Sequence, residues 1–187
     1  MYKRQGFSFL CKNRIANSRG YSTGGVALAF RKSVINLKKI DLIGNNYEVI
    51  FAVGTMPKFS RKFIAVCVYL PPSLSASTVG GCFDFIVDGI IEMKTRFKDP
   101  FIAVSGDFNG FDIAGALDDF SDLVQVKTGP TRDLLFTNFS SQISESGVIS
   151  LLECDSSGGV PLVTMPLVFA LWDCFAMRFI IGLRTRT

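Results

Sequence analysis

Near its centre the chain reads Pro100-Phe101-Ile102-Ala103-Val104-Ser105-Gly106-Asp107-Phe108-Asn109, an apolar run that ends abruptly in an acid and an amide. The run predicts a buried strand. Side chains two residues apart on an extended segment point the same way, so Asp107 and Asn109 are expected to share one face, with Phe108 in the core. Gly106 gives the backbone freedom to turn and removes a Cβ where a ligand could approach. A carboxylate beside an amide suits a phosphodiester, because the amide donates to a non-bridging oxygen while the carboxylate handles a proton or a water.

The four residues from Gly106 to Asn109 also fit a plain turn. Asp and Asn beside Gly are favoured turn residues, so the motif alone leaves both interpretations open. The segments around it are needed to choose between a turn and a ligand site.

A strand–helix–strand unit is predicted around the motif. Residues 62–69 are apolar on both faces and indicate a central strand, which two prolines end. Residues 75–78 offer helix N-caps, and the apolar spacing that follows predicts a helix over 77–98. A unit of this length is typical of a parallel crossover, so Tyr69 and Asp107, at the ends of its two strands, should border one cleft. The helix is expected to bury Phe83, Ile86, Val87, Ile90 and Ile91.

Shorter apolar segments predict further strands on both sides of this unit. A polar loop or short helix is expected over 111–120, and a turn over 128–132. The predicted strands are 24–30, 46–53, 123–126, 133–138 and 147–153.

The composition indicates one domain with a large apolar interior. The 187 residues are 48% hydrophobic and 19% charged, and 18 are Phe. The net charge of +4 is compatible with a polyanionic partner. The chain contains no histidine, so any mechanism that needs an imidazole is closed to it. Its five cysteines show no C-x-x-C spacing, which favours reduced thiols packed as small hydrophobes over a zinc or redox motif.

Several motifs occur together in a fixed order. They are Gly24-Gly25-Val26-Ala27, Val68-Tyr69-Leu70-Pro71-Pro72, the long helix, Gly106-Asp107-Phe108-Asn109, and Thr128-Gly129-Pro130-Thr131-Arg132 before an Asp-Leu strand. The series resembles the endonuclease/exonuclease/phosphatase family, and most of all the endonuclease domain of non-LTR (LINE-type) retrotransposons. The resemblance implies an α/β fold of the α+β four-layer sandwich type, with two mixed β-sheets packed face to face and flanking helices. It also implies a Mg2+-dependent phosphodiesterase that cuts DNA.

The resemblance gives each candidate site residue a role. Tyr69 would contact the scissile phosphate, and Asp107 would orient or protonate a reacting group. Asn109 would bind phosphate and help to place the nucleophile. Thr131 and Asp133 would lie near the substrate in a later active-site loop. The role of Asp133 transfers less directly. The family has a few more residues between Thr-Arg and Leu-Asp, whereas Asp133 here follows Arg132 immediately.

The sequence departs from the family at two places. The family opens with a strand ending in Asn and then a metal-binding Glu, whereas no Asp or Glu precedes Gly24 here. We therefore expect the first strand–helix unit to be missing, and no metal ligand is assigned. Where the family carries Ser-Asp-His, this chain reads Leu162-Val163-Thr164. Loss of catalytic members commonly costs orders of magnitude in rate, so we expect a truncated, degenerate copy that is impaired or inactive.

A non-catalytic remnant that binds nucleic acid or protein is the alternative function. DNA is the partner that the resemblance implies, and no stable protein partner is predicted. The N-terminal residues do not form a signal peptide, so an intracellular protein of the cytoplasm or nucleus is expected.

The C-terminal segment is separated from the domain by its composition. We expect a partial endonuclease-like domain over 1–161 and an apolar, divergent tail over 162–187. Residues 162–183 could just span a bilayer by length, but Asp173 and Arg178 oppose this at about 2.5–3.5 kcal/mol for each central charge. A buried strand near 167–171 and a second apolar element are expected instead of membrane insertion.

Overall fold

The computed structural model forms eleven strands and one α-helix in the residues that it describes. Those residues are 7–13, 25–32, 35–55, 60–128, 131–139, 143–150, 166–172 and 175–180. The elements are β1 (Phe7–Asn13), β2 (Gly25–Arg31), β3 (Lys38–Ile40), β4 (Val49–Thr55), β5 (Lys62–Tyr69), α1 (Ala76–Arg96), β6 (Phe101–Asp107), β7 (Ser121–Thr128), β8 (Thr131–Thr137), β9 (Ile143–Ser150), β10 (Pro166–Trp172) and β11 (Phe175–Ile180), with a 3-10 turn at Ala114–Ala116.

A six-stranded mixed sheet forms the middle of the molecule, in the order β3-β4-β5-β6-β8-β7. Strands β5 and β6 are parallel, as the predicted crossover requires, and the other neighbours are antiparallel. Two antiparallel sheets accompany it, β1-β2 and β9-β10-β11, and β11 lies alongside β2. The expected boundary between the domain and the C-terminal tail is at residue 161. Strands β9 and β10 lie on either side of this boundary and pair with each other.

The central strands of the mixed sheet, β4, β5 and β6, are buried on both faces. The inner face carries Ala65 and Cys67, which pack against Leu28 and Phe30 of β2. The outer face packs against α1. Burial on both faces explains why β5 is a continuous apolar run, since every position from 63 to 68 is inaccessible. The predicted α/β sandwich is therefore confirmed, with one mixed sheet and an opposing layer of antiparallel strands in the described residues.

Helix α1 begins where the sequence predicts, but the face that it buries differs from the predicted face. The Ser75 hydroxyl accepts a hydrogen bond from the Thr78 amide at 3.2 Å and caps the helix. Ile86 and Ile90 are buried, whereas Phe83 and Val87 are half-buried. The prediction for Ile91 was wrong, because its side chain is 56% exposed. Ile91 follows Ile90 by one residue, and the helical rotation between them turns its side chain out of the buried stripe. That stripe consists of Val79, Cys82, Ile86, Gly89, Ile90 and Met93.

Two strands were not predicted from the sequence. In β1 Ser8, Leu10 and Lys12 are half-buried, while Phe9 and Cys11 are exposed. Polar and apolar residues therefore occur on both faces, so no period-two pattern marks the strand in the sequence. β3 has only three residues, too few to show any period.

Candidate functional site at the ends of β5 and β6

Three of the predicted site residues lie in one line across neighbouring strands. Tyr69 and Asp107 are register partners at the ends of parallel β5 and β6. Asp107 is in turn the register partner of Asp133 in antiparallel β8. Adjacent strands are about 4.8 Å apart, so the backbones of the three residues span about 10 Å. The expected proximity of Tyr69 and Asp107 is thus confirmed at the level of the backbone.

Register partners on adjacent strands project from the same face of a sheet. Tyr69 is half-buried and packs against the inner cluster, two residues after the buried Cys67. Asp107 is also half-buried and stands two residues after the buried Ser105 on the same strand. The side chains of Tyr69 and Asp107 therefore border the same end of the space between the sheets.

The Gly-Asp-Phe-Asn motif is both a turn and a polar edge. The Asp107 Oδ1 accepts a hydrogen bond from the Asn109 amide at 3.0 Å, and Asn109 has a φ of +46°. β6 therefore ends at Asp107, so the premise that the chain stays extended to Asn109 was wrong. Phe108 is fully buried in the outer cluster, as expected.

The turn places the Asn109 side chain against β5. Its Nδ2 donates to the Leu70 carbonyl at 2.7 Å, and the Leu70 amide donates to the Asp107 carbonyl at 2.9 Å. A primary amide has two N–H donors and one acceptor oxygen, so the bond to Leu70 leaves one N–H for a ligand. Asn109 is half-buried, which lets it present this donor at the sheet edge.

Gly106 serves packing rather than ligand approach. A Cβ built there would lie 2.3 Å from the Val68 carbonyl oxygen and 2.8 Å from the Val68 Cβ. The expectation that the glycine makes room for a ligand is therefore wrong. Its missing side chain allows β6 to pass close to β5, immediately before the two polar residues.

Glu48 is a residue that the sequence analysis missed. The Tyr69 amide donates to the Glu48 carbonyl at 2.9 Å, which continues the β4–β5 register by one pair. Glu48 stands two residues before the buried Ile50 of the inner face, so it lies at the same strand-end edge as Tyr69 and Asp107. The pairing of 49 with 68 could have revealed it, but register between strands is not visible in a single sequence.

Thr131 and Asp133 are described only in part. β8 places Asp133 opposite Asp107, and β7–β8 pairing places Thr131 opposite Thr128. The side chains of both lie outside the described residues, so their assignment to substrate binding stays a prediction. Asp112, a carboxylate near the motif, accepts a hydrogen bond from the Ala114 amide at 2.9 Å, at the start of the 3-10 turn.

The described side chains do not amount to a magnesium site. Mg2+ requires near-octahedral oxygen coordination and is usually held by carboxylates together with waters and substrate phosphates. Within the described residues no three Asp, Glu or Cys side chains come together as metal ligands. Asp107 and Glu48 are two strands apart, about 10 Å between backbones. The described residues therefore hold no complete ligand set for Mg2+.

The described thiols near this region are unsuited to nucleophilic chemistry. Burial raises the pKa of Cys67 to about 12, and its Sγ lies 3.6 Å from the Ala27 carbonyl oxygen. Burial likewise raises the pKa of Cys82 to about 12, although nearby Lys12 opposes the shift. Both stay protonated at neutral pH, as expected of packed, reduced thiols; Cys154 and Cys174 lie outside the described residues.

Comparison with solved structures finds the same fold in a nuclease. The endonuclease domain of TRAS1, a telomere-specific non-LTR retrotransposon, superposes with a TM-score of 0.51 at 12% identity, covering 79% of this chain and 74% of that domain. A humanized D. rerio TDP2 carrying 14 mutations matches with a TM-score of 0.45 at 14% identity, covering 80% of this chain and 68% of that one. A scan against models of protein families and a search of curated proteins gave no match. The described residues contain no helix long and apolar enough to cross a membrane.

Proposed function

We propose that this chain is a nuclease-like domain of the endonuclease/exonuclease/phosphatase family, derived from a non-LTR retrotransposon endonuclease. It binds DNA at the edge formed by Tyr69, Asp107 and Asn109, and its hydrolytic activity is impaired. The observation that carries the proposal is the register of Tyr69 with Asp107 at the ends of two parallel strands. The fold shared with the TRAS1 endonuclease domain and the ordered series of motifs support it.

Each residue of this edge supplies one function toward a phosphodiester. The remaining Asn109 N–H donates to a non-bridging phosphate oxygen. The Tyr69 hydroxyl lies on the same face as Asp107 and donates to a second oxygen. The Asp107 carboxylate accepts a proton or orients a water. Thr131 and Asp133, one strand further along, extend the contact to the substrate.

Impairment follows from the chemistry that the chain lacks. It contains no histidine, so no imidazole acts as general base or stabilises the transition state. Where the family carries Ser-Asp-His, the chain reads Leu162-Val163-Thr164. A degenerate copy that keeps DNA binding and loses turnover accounts for both facts. With DNA as the proposed partner, we also propose an intracellular location, in the cytoplasm or nucleus.

Plasmid nicking and duplex binding test the two halves of the proposal separately. Purified wild type, Asp107→Ala and a control, Asp88→Ala on the exposed face of α1, are incubated with supercoiled plasmid and Mg2+. We expect equal, background nicking by all three, together with measurable binding of a duplex by wild type. Robust nicking abolished by Asp107→Ala would refute impairment. Absence of duplex binding by wild type would refute the DNA-binding function itself.

A further inference from the structure

The β3–β4 loop, residues 41–48, lies at the same end of the mixed sheet as the candidate site. It runs from the end of β3 at Ile40 to the start of β4 at Val49. Its last residue, Glu48, accepts the Tyr69 amide through its carbonyl. The loop therefore joins the sheet two strands from Asp107, about 10 Å away.

Packing on α1 fixes this loop from one side. The Leu42 side chain occupies the space beside Gly89, where a Cβ would lie 2.8 Å from Leu42 Cδ1. The Tyr47 hydroxyl lies over Gly81, and the Tyr47 ring packs on Phe85 with 5.6 Å between ring centroids. Gly89 and Gly81 of α1 thus leave room for the side chains of Leu42 and Tyr47, which anchor the loop.

Hydrogen bonds fix the loop from the other side. Lys12 of β1 donates through Nζ to the Asn45 carbonyl at 2.8 Å. The Asn45 Nδ2 donates to the Val49 carbonyl at 3.0 Å. Burial and neighbouring Lys39 lower the pKa of Lys12, while Asp41 and Glu48 oppose that shift, so the lysine is held among these loop groups.

Ile43 stands at the tip of this ordered loop and is fully exposed. Gly44, which follows it, has a φ of +78°, the left-handed conformation that turns the chain back toward Tyr47. Leu42 and Tyr47 are half-buried, so the loop hides its other large apolar side chains and presents only Ile43. This isoleucine contributes nothing to the packing of the chain itself.

We propose that the 41–48 loop is a second nucleic-acid contact, with Ile43 inserting into a groove or against an unstacked base. The inference rests on the proposed DNA-binding function and extends it to a contact beside the phosphodiester edge. Apolar side chains next to basic residues are the usual means of wedging between base steps. Lys12, Lys38 and Lys39 flank the loop together with the carboxylates of Asp41 and Glu48; Lys39 pairs with Asp41 at 2.8 Å, and the five groups together carry one net positive charge.

The distance between the loop and Asp107 also favours a nucleic acid as the ligand that contacts the loop. The grooves of a duplex are about 6 and 12 Å wide, so DNA held at Asp107 presents a neighbouring groove roughly at the distance of the loop. A rigid loop loses little conformational entropy on binding, which suits a preorganised contact.

The test compares two exposed isoleucines. Ile43→Ser and the control Ile91→Ser, which lies in the last two turns of α1 away from the site end, are measured against wild type. Binding of a fluorescent 30-base-pair duplex is followed by anisotropy at several salt concentrations. Ile43→Ser should weaken binding about tenfold, because the apolar side chain that the proposed complex buries against the DNA is lost. The dependence of log affinity on log salt should keep its slope, since no phosphate contact is removed.

Each outcome has a separate meaning. Wild-type affinity in Ile43→Ser, with measurable wild-type binding, would overturn the loop contact and leave the proposed function standing. An equal loss in Ile91→Ser would also overturn it, because the effect would then not be local to the loop. No binding by wild type would overturn the proposed function and the loop contact with it. Loss of a dimer in sedimentation by Ile43→Ser, at unchanged DNA affinity, would assign the loop to self-association instead.

Discussion

The two ends of the mixed sheet use similar side chains for different purposes. At the end where β5 and β6 begin, Asn138 accepts from the Ile102 amide at 2.8 Å and donates to the Pro100 carbonyl at 3.0 Å. Arg61 there pairs with Asp99 at 2.7 Å and lies 3.9 Å from the Phe101 ring centroid. The polar groups of this end hold the chain to itself.

At the end where β5 and β6 finish, the corresponding asparagine makes fewer side-chain hydrogen bonds to the backbone. Asn109 and Asn138 each donate one side-chain N–H to a backbone carbonyl, but Asn138 also accepts the Ile102 amide through its Oδ1. Tyr69 and Asp107 stand half-buried in register beside it. An asparagine at each end makes different hydrogen bonds, so residue type alone does not distinguish the two ends of the sheet.

The largest effect on stability is expected beneath the site. Gly106→Ala should lower the free energy of unfolding by about 3 kcal/mol, because the new Cβ meets the Val68 carbonyl of β5. Gly80→Ala is the matched control, since a Cβ at that helical position meets nothing within 4 Å. It should raise stability by about 0.5–1 kcal/mol through helix propensity. Urea unfolding measures both, and an unaffected Gly106→Ala would show that β5 and β6 can separate without cost.

Asn138 should matter to folding and not to binding. Asn138→Ala removes two hydrogen bonds to part-buried backbone groups and should cost about 2 kcal/mol of unfolding free energy. Duplex affinity, measured under conditions where the variant is folded, should equal that of wild type. A lower affinity in folded Asn138→Ala would erase the distinction between the two ends.

The counterpart change at the other end should have the reverse profile. Asn109→Gly keeps a residue suited to the φ of +46° and should cost under about 1 kcal/mol of stability. Duplex affinity should fall about tenfold, because a donor to phosphate is lost. Anisotropy and urea unfolding on the same preparation give the two numbers. Unchanged affinity with a large stability loss would make Asn109 a structural residue like Asn138.

The smallest effect at neutral pH concerns the thiols. Because burial raises the pKa values of Cys67 and Cys82 to about 12, the stability from their protonated forms is intact below pH 9 and is lost as pH rises toward 12. At pH 8, peptide mapping after thiol labelling should find exposed Cys11 modified quickly and Cys67 and Cys82 slowly. Rapid labelling of Cys67 would mean that the two layers open easily.

The sequence predicted those parts of the fold that depend on local pattern. β5, with apolar residues on both faces, matches its predicted bounds, and the crossover through α1 follows from its length. β1 was missed because polar and apolar residues occur on both of its faces. Ile91 was misassigned because several stripes of this apolar helix satisfy the same spacing.

The position of the candidate site at a strand end was predictable, and its geometry less so. The preceding apolar run placed Asp107 and Asn109 at the end of a strand, but the turn between them depends on a left-handed Asn109 that no period reveals. Glu48 was missed because its place beside Tyr69 comes from the register of two strands. Long-range pairing is fixed by packing and turn geometry over the whole sheet.

Amide chemical shifts during titration with a short DNA duplex test most directly whether ligand binding is confined to one end of the sheet. We predict that the amides of Tyr69, Leu70 and residues 107–110 shift, together with those of the 41–48 loop. The amides of Arg61, Ile102 and Asn138 should stay in place. Shifts centred on the Arg61–Asn138 end, or no shifts at all at saturating duplex, would contradict the account.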